Sequence, residues 1–171
     1  EVDGEGMIAA YSASQSQGQS HETTMAMIVG DALGIAPERV RLRQTVAEKK
    51  IVGNATGGSR TMVGAGSACK IAADLLVERG KSLAAEELDI EPSQVEYAQG
   101  TFKAREDGKA LTLAELAKRR EFSVRGGGKF GATWPNGCHI TEVEVDPETG
   151  KSQIAAYVAV DDCGVAINHM I

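Results

Sequence analysis

Two short segments of this chain place ligand-gripping groups directly ahead of helical patterns. Gln17-Gly18-Gln19-Ser20 opens at His21, and Thr56-Gly57-Gly58-Ser59 opens at Arg60. A helix N-terminus carries about half a positive charge and up to four N–H groups without helical partners, so phosphate or another anion is stabilised there. Glycine lets the backbone approach a ligand closely, Ser and Thr add hydroxyls, and the Arg60 guanidinium can neutralise charge through two parallel hydrogen bonds. Gln17 and Gln19 each donate and accept, which suits the edge of a heterocycle. Small polar residues before a helix are also ordinary caps. Two such loops in one chain together describe a phosphate-and-heterocycle site.

The elements that would position these loops follow from periodicity. Residues 7–13 alternate as a strand, and the Gln/Ser run is the loop after it. Ser20 is read as the N-cap of a helix with Glu22 in its first turn and an apolar stripe of Met25, Ile28, Val29, Ala32 and Leu33, stopped by Gly34. A second strand is expected near 39–44. A long connection, beginning at Thr45 and ending in GNATGG, then leads to a second helix that opens at Ser59 and reaches about Leu88. Gly80 should weaken or kink that helix, while Gly64 and Gly66 allow close packing.

SQVEYAQGTFKAR (93–105) reads as a hairpin, and TLAELAKRR (112–120) as a short helix capped by Thr112. RGGGKFGATWPNG (125–137) superficially suggests a phosphate loop, but no Ser or Thr follows Lys129 and no helix follows; it reads as a mobile linker. Residues 139–146 and 151–161 alternate around the turn DPETG and form a second hairpin. The pattern predicts a two-layer α+β domain, a mixed β-sheet with two long helices packed on one face.

Composition limits the partners. Eighteen Lys and Arg stand against 24 Asp and Glu, for a net charge of −6, and the longest basic run is KRR at 118–120, so nucleic acid and membrane are not expected partners. No apolar run approaches the ~20 residues of a membrane span, and the first residues lack the pattern of a secretory signal. A cytoplasmic location is expected. Cys69, Cys138 and Cys163 are odd in number and widely spaced, fit no metal or iron–sulfur spacing, and read as buried reduced thiols. His21 has no second ligand in helical register, and His139 and His169 read as ordinary strand and loop residues, so no metal site is expected. The chain starts without Met in what reads as a hairpin turn and stops at INHMI, as expected of a piece of a longer polypeptide or a split subunit.

Three segments, SQGQSHETTMAMIVGDALGIAPERVRLRQ, GNATGGSRTMVGAGSA and HITEVEVDPETGKSQIAAYVAVDDCGVAIN, resemble consecutive parts of the molybdenum-binding subunit of the xanthine dehydrogenase and aldehyde oxidase family, the molybdenum hydroxylases. The resemblance covers nearly the whole chain in order and makes residues 1–171 part of a molybdenum-cofactor-binding domain. It implies contacts to molybdopterin, often as the cytosine dinucleotide, from Gly18, Gln19, Ser20, His21, Glu22, Thr23 and Thr24 and from Ala55, Thr56, Gly57, Gly58, Ser59 and Arg60. It also implies FAD and iron–sulfur clusters on partner domains or subunits, further molybdenum-subunit segments, and a small-molecule substrate, an aldehyde or an N-heterocycle.

The chain departs from the family pattern at defined places. Ser20 and Ala55 stand where the family usually has glycine, and Val46 and Glu48 hold two usual Asp positions of a GDTD stretch. The family's catalytic glutamate belongs to a GVGE-type motif that these 171 residues do not contain, so no catalytic residue is assigned here. A non-catalytic assembly domain with degenerate cofactor loops is the alternative that Ser20, Ala55 and Val46 would favour.

Overall fold

The computed structural model describes residues 1–44 and 46–171; Thr45 lies outside the described residues. The chain divides into two units, Glu1–Gly131 with Met170–Ile171, and Ala132–His169.

In the first unit, strands β1 (Ile8–Ser12) and β2 (Val40–Gln44) run parallel, in register from Ile8 opposite Val40 to Ser12 opposite Gln44. Parallel neighbours cannot be joined by a tight turn, and helix α1 (His21–Leu33) supplies the crossover. Its stripe faces the core as the spacing predicts: Met25, Val29 and Leu33 are buried, and Ile28 and Ala32 pack against them half-buried. Gly34 ends the helix in the left-handed region at φ 60°, and the Ile35 amide returns to the Gly30 carbonyl at 2.9 Å. Ahead of β1 the chain turns back on itself as expected, with Val2 bridged to Ile8 and the Asp3 amide donating to the Met7 carbonyl at 3.0 Å.

Helix α2 (Ser67–Leu88) packs on α1 and on a second, antiparallel sheet. It runs through Gly80 as one continuous helix. A Cβ at Gly80 would stand 2.1 Å from the Phe102 ring, so the glycine exists to seat that ring against the helix. Phe102, Leu83 and Leu116 are fully buried there. Of the two glycines expected to pack closely, only Gly66 does, against Met62 and Ile28; a Cβ at Gly64 would meet nothing within 4 Å.

The predicted hairpin is β3 (Val95–Ala98) and β4 (Thr101–Ala104), and β5 (Ala110–Thr112) extends it to three strands. Helix α3 (Leu113–Arg119) starts from a reciprocal cap: the Glu115 amide donates to Thr112 Oγ1 at 3.2 Å, and the Thr112 amide to Glu115 Oε2 at 2.8 Å. The glycine run is not free at its start. Phe122 is buried and accepts from the Val2 amide at 2.9 Å, and a Cβ at Gly126 would lie 2.5 Å from the Ala72 nitrogen, so this stretch is packed on α2.

The second unit is the hairpin of β6 (Asn136–Val145) and β7 (Ser152–Asp162), antiparallel, with a bulge where register shifts between Glu142 and Val143. Asp146 organises its turn by accepting from the Glu148 amide at 2.8 Å. Every residue of both strands is exposed. The three thiols therefore differ: Cys69 is buried as expected, whereas Cys138 and Cys163 are exposed because the strand and loop that carry them pack on nothing within their unit. The α+β class stands, with parallel and antiparallel pairs divided among three small sheets.

Candidate functional site

Parallel strands in step bring their C-terminal ends side by side, and the segments leaving those ends emerge at one edge. Here they are residues 13–20, leaving β1, and 46–60, leaving β2: the two loops singled out by their chemistry. They are tied to one another. Ser14 Oγ donates to the Asn54 carbonyl at 2.9 Å, Gln44 Nε2 donates to the Ser14 carbonyl at 2.9 Å, and Thr56 Oγ1 donates to the Gln15 carbonyl. A Cβ at Gly53 would lie 3.1 Å from the Ala13 methyl, so the backbones also run close.

In the first loop Gly18 takes φ +97° and Ser20 takes φ 59°, ψ 37°, the left-handed region. Ser20 sits at the helix entrance but does not cap it with its side chain, contrary to expectation. A left-handed backbone turns its hydroxyl away from the first-turn amides, and its carbonyl instead accepts from the Thr23 and Thr24 amides, each at 3.1 Å, and from Thr24 Oγ1 at 3.2 Å. Gln19 folds its carboxamide oxygen back onto the Gln17 amide, and its NH2 group has no hydrogen-bond partner among the described residues. The amides of Gly18, Gln19 and Ser20 donate to no described residue. His21 is only 6% exposed, and its Nδ1 is buried without a hydrogen-bond partner among the described residues. An unpaired buried ring nitrogen costs free energy unless something outside the described residues completes it.

The second loop carries the same provision. No backbone amide from Val52 to Ser59 donates to another described residue. Gly58 and Ser59 follow one another at φ +64° and +53°, and Gly57 has open space where a Cβ would stand. Arg60 is exposed and has no ion-pair partner among the described residues. The helix beyond opens at Thr61, two residues later than the sequence predicts, and its first turn is the π-turn Met62–Gly66, in which the Gly64 amide donates to the Arg60 carbonyl at 2.8 Å. Such turns occur often at functional sites.

Sequence reasoning missed a cleft of about 260 Å³ at this edge, lined by Ser12, Ala13, Val46, Ala47, Lys50 and Ile51. Its far wall is a 3-10 turn at Ala47–Lys49, held by the Lys49–Glu1 ion pair, by Lys49 over the Tyr11 ring at 4.8 Å and by Arg125 donating to the Lys49 carbonyl at 2.9 Å. The Lys49 hydrogen bond holds the Glu1 carboxyl below its ordinary range, and the same bond raises the Lys49 ammonium. The available signal was the departure at Val46 and Glu48, on the segment that builds this wall.

The donor set, unclaimed amides, open glycines, a free guanidinium and an orphaned imidazole, is one that a phosphate-bearing heterocycle would satisfy. The family model of the molybdopterin cofactor-binding domain matches residues 1–171. The chain belongs to that family. The chain is similar to the carbon monoxide dehydrogenase large chain of Hydrogenophaga pseudoflava, 30% identical over 91% of this chain and 21% of that one. The gamma subunit of the 6-hydroxypseudooxynicotine dehydrogenase complex of Paenarthrobacter nicotinovorans is 30% identical over 98% of this chain and 23% of its own length. Among solved structures, a Cu,Mo-containing CO dehydrogenase in its carbon monoxide reduced state matches with a TM-score of 0.79 and 28% identity, over 99% of this chain and 23% of that one. Quinoline 2-oxidoreductase from Pseudomonas putida 86 matches with a TM-score of 0.76 and 26% identity, again over 99% and 23%. The molybdenum hydroxylase resemblance read from three sequence segments is thus to the right family, and the chain spans between a fifth and a quarter of the length of these relatives.

Proposed function

We propose that the edge formed by residues 17–21 and 56–60 holds the molybdopterin cofactor, in its cytosine dinucleotide form, within a cytoplasmic molybdenum hydroxylase. One observation carries the reading: two loops, cross-linked by side chain-to-carbonyl hydrogen bonds, present backbone amides that no described residue uses. Gly18, Gly57 and Gly58 allow close approach, Arg60 neutralises phosphate charge, and Gln17 and Gln19 address a heterocycle edge. Ser20 and Ser59 add hydroxyls, and Thr56, whose hydroxyl donates to the Gln15 carbonyl, ties the two loops together beside the cofactor. His21 is a positioning residue, whose unpaired Nδ1 fixes how the first loop sits once a partner completes it.

When bound, the cofactor supplies the redox and oxygen-transfer chemistry by which such an enzyme oxidises an aldehyde or an N-heterocycle with oxygen derived from water. This chain's own part is to bind and orient. The general base, the FAD and the iron–sulfur clusters belong to other segments or subunits of the complex. The likeness to quinoline 2-oxidoreductase supports an N-heterocycle over an aldehyde, while the carbon monoxide dehydrogenases support neither.

A large cofactor gripped from one side stays mostly in water, and a missing general base alone costs roughly 10²-fold to 10⁴-fold in rate. The purified 171-residue chain is therefore expected to be folded, colourless, free of molybdenum and inactive with aldehydes and purines. Metal analysis with a dye-reduction assay checks this. Stoichiometric molybdenum with turnover from this chain alone would overturn the division of labour.

A further inference from the structure

The core face of strand β1 ends in a hydroxyl. Alternation puts Ile8, Ala10 and Ser12 on that face: Ile8 is buried, Ala10 packs against the core, and Ser12 is only 7% exposed. Ser12 Oγ accepts from the Ser14 amide at 3.1 Å, while its own proton has no acceptor among the described residues. A buried donor left unspent carries a cost that a ligand can remove.

Ser12 lines the cleft of about 260 Å³ beside the ends of β1 and β2, and the other lining residues sort by chemistry. Ala13, Val46, Ala47 and Ile51 are apolar, and Lys50 is the one charged residue. Its neighbour Lys49 is spent on Glu1 and on the Tyr11 ring. The Lys50 ammonium, by contrast, has no ion-pair or hydrogen-bond partner among the described residues. Lys50 also ends its 3-10 turn in the left-handed region, at φ 49°, which an L-residue adopts at some cost.

One free cation, one unspent hydroxyl proton and no carboxylate among apolar neighbours select the ligand. A single ammonium balances a single negative charge, and the two oxygens of a carboxylate can each take one of the two donors. A phosphate dianion asks for more donors, of the kind the unclaimed amides of the two loops supply. The volume lies below the ~300 Å³ at which pockets for drug-sized molecules begin, so the ligand is small.

We propose that this cleft binds the carboxylate of a small organic acid with an apolar body, Lys50 pairing with the carboxylate and Ser12 donating to it. None of the six lining residues belongs to the edge formed by residues 17–21 and 56–60, so the site stands whether or not that edge holds the cofactor.

The test titrates the isotopically labelled 171-residue chain with benzoate, with its neutral isostere benzamide and with inorganic pyrophosphate, following amide chemical shifts. Benzoate is expected to move Ser12, Ala47, Lys50 and Ile51 together and saturably, with a dissociation constant on the order of 1 mM. Benzamide should bind roughly 5-fold to 10-fold more weakly, and Lys50→Met should bring benzoate down to that level. Lys50→Arg should restore binding, and Lys70→Met, at an exposed position on α2, should leave it unchanged. No saturable response of the cleft residues at tens of millimolar benzoate overturns the proposal. So does equal binding of benzoate and benzamide, and so does a benzoate response that Lys50→Met leaves intact. Cleft residues that answer pyrophosphate more strongly than benzoate would belong to a phosphate site, which equally overturns it. Pyrophosphate silent at residues 17–21 and 56–60 counts against the cofactor reading alone.

Discussion

The packed unit and the hairpin use their apolar residues in opposite ways. In the first, α2 gives up a side chain at Gly80 so that Phe102 can lie 0% exposed against it, and Leu83, Leu116, Met25 and Leu33 complete a closed core. In the second, Ile140, Val158 and Val160 stand in solvent on strands whose pairing is regular. Strand pairing is thus decided locally by alternation and turn chemistry, while burial needs a second layer. The lesson is that good secondary structure does not show where a core is, and that the edge proposed to hold the cofactor belongs to the unit that has one.

The largest effect expected is in stability. Phe102→Ala should destabilise by about 3–5 kcal/mol in urea titrations, because the seat under Gly80 cannot collapse to fill the space. Ile140→Ala should change stability by no more than about 0.5 kcal/mol in the same chain. Comparable losses at the two positions would break the comparison, since the hairpin would then have a buried face.

Thiols sharpen it next. Burial pushes the Cys69 thiol up from 9.0 to about 11. The unfolded thiol ionises above pH 9 while the folded one stays neutral, so stability present below pH 9 falls between pH 9 and about 11. The difference from Cys69→Ala, which lacks this slope, should reach roughly 2 kcal/mol at the upper end. Cys138 and Cys163 should react with a thiol reagent in the native chain at once, and Cys69 only after unfolding.

A smaller gain than either the Phe102 or the Cys69 effect is expected at the loop. A left-handed serine costs about 1 kcal/mol relative to glycine, so Ser20→Gly should stabilise the chain by about that amount. In a complete subunit it should keep or raise molybdenum content. A sharp loss would mean that the Ser20 hydroxyl is itself a needed ligand.

Much of this was legible in the residues. The α1 stripe, its Gly34 stop, the Thr112 cap and both antiparallel hairpins follow from local rules, and so did the two loops, because glycine, hydroxyl and carboxamide side chains clustered ahead of helices announce unused amides. What was not legible depended on contacts between distant segments. Gly80 reads as a helix breaker until Phe102 is placed beside it, and Gly126 reads as linker until Ala72 is. The left-handed turn at Ser20 and the π-turn at Met62–Gly66 are backbone choices that residue type does not dictate. The cleft beside Lys50 exists only once β1 and β2 lie in parallel register.

The central claim is that two loops, far apart in sequence, form one anion-binding edge. Amide chemical shifts of the isotopically labelled chain, followed during titration with inorganic pyrophosphate, test it most directly. The account predicts that Gly18–His21 and Gly57–Arg60 respond together, with a single dissociation constant, while β6 and β7 stay silent. A response confined to one loop, or centred on the Gly126–Lys129 run, would contradict it.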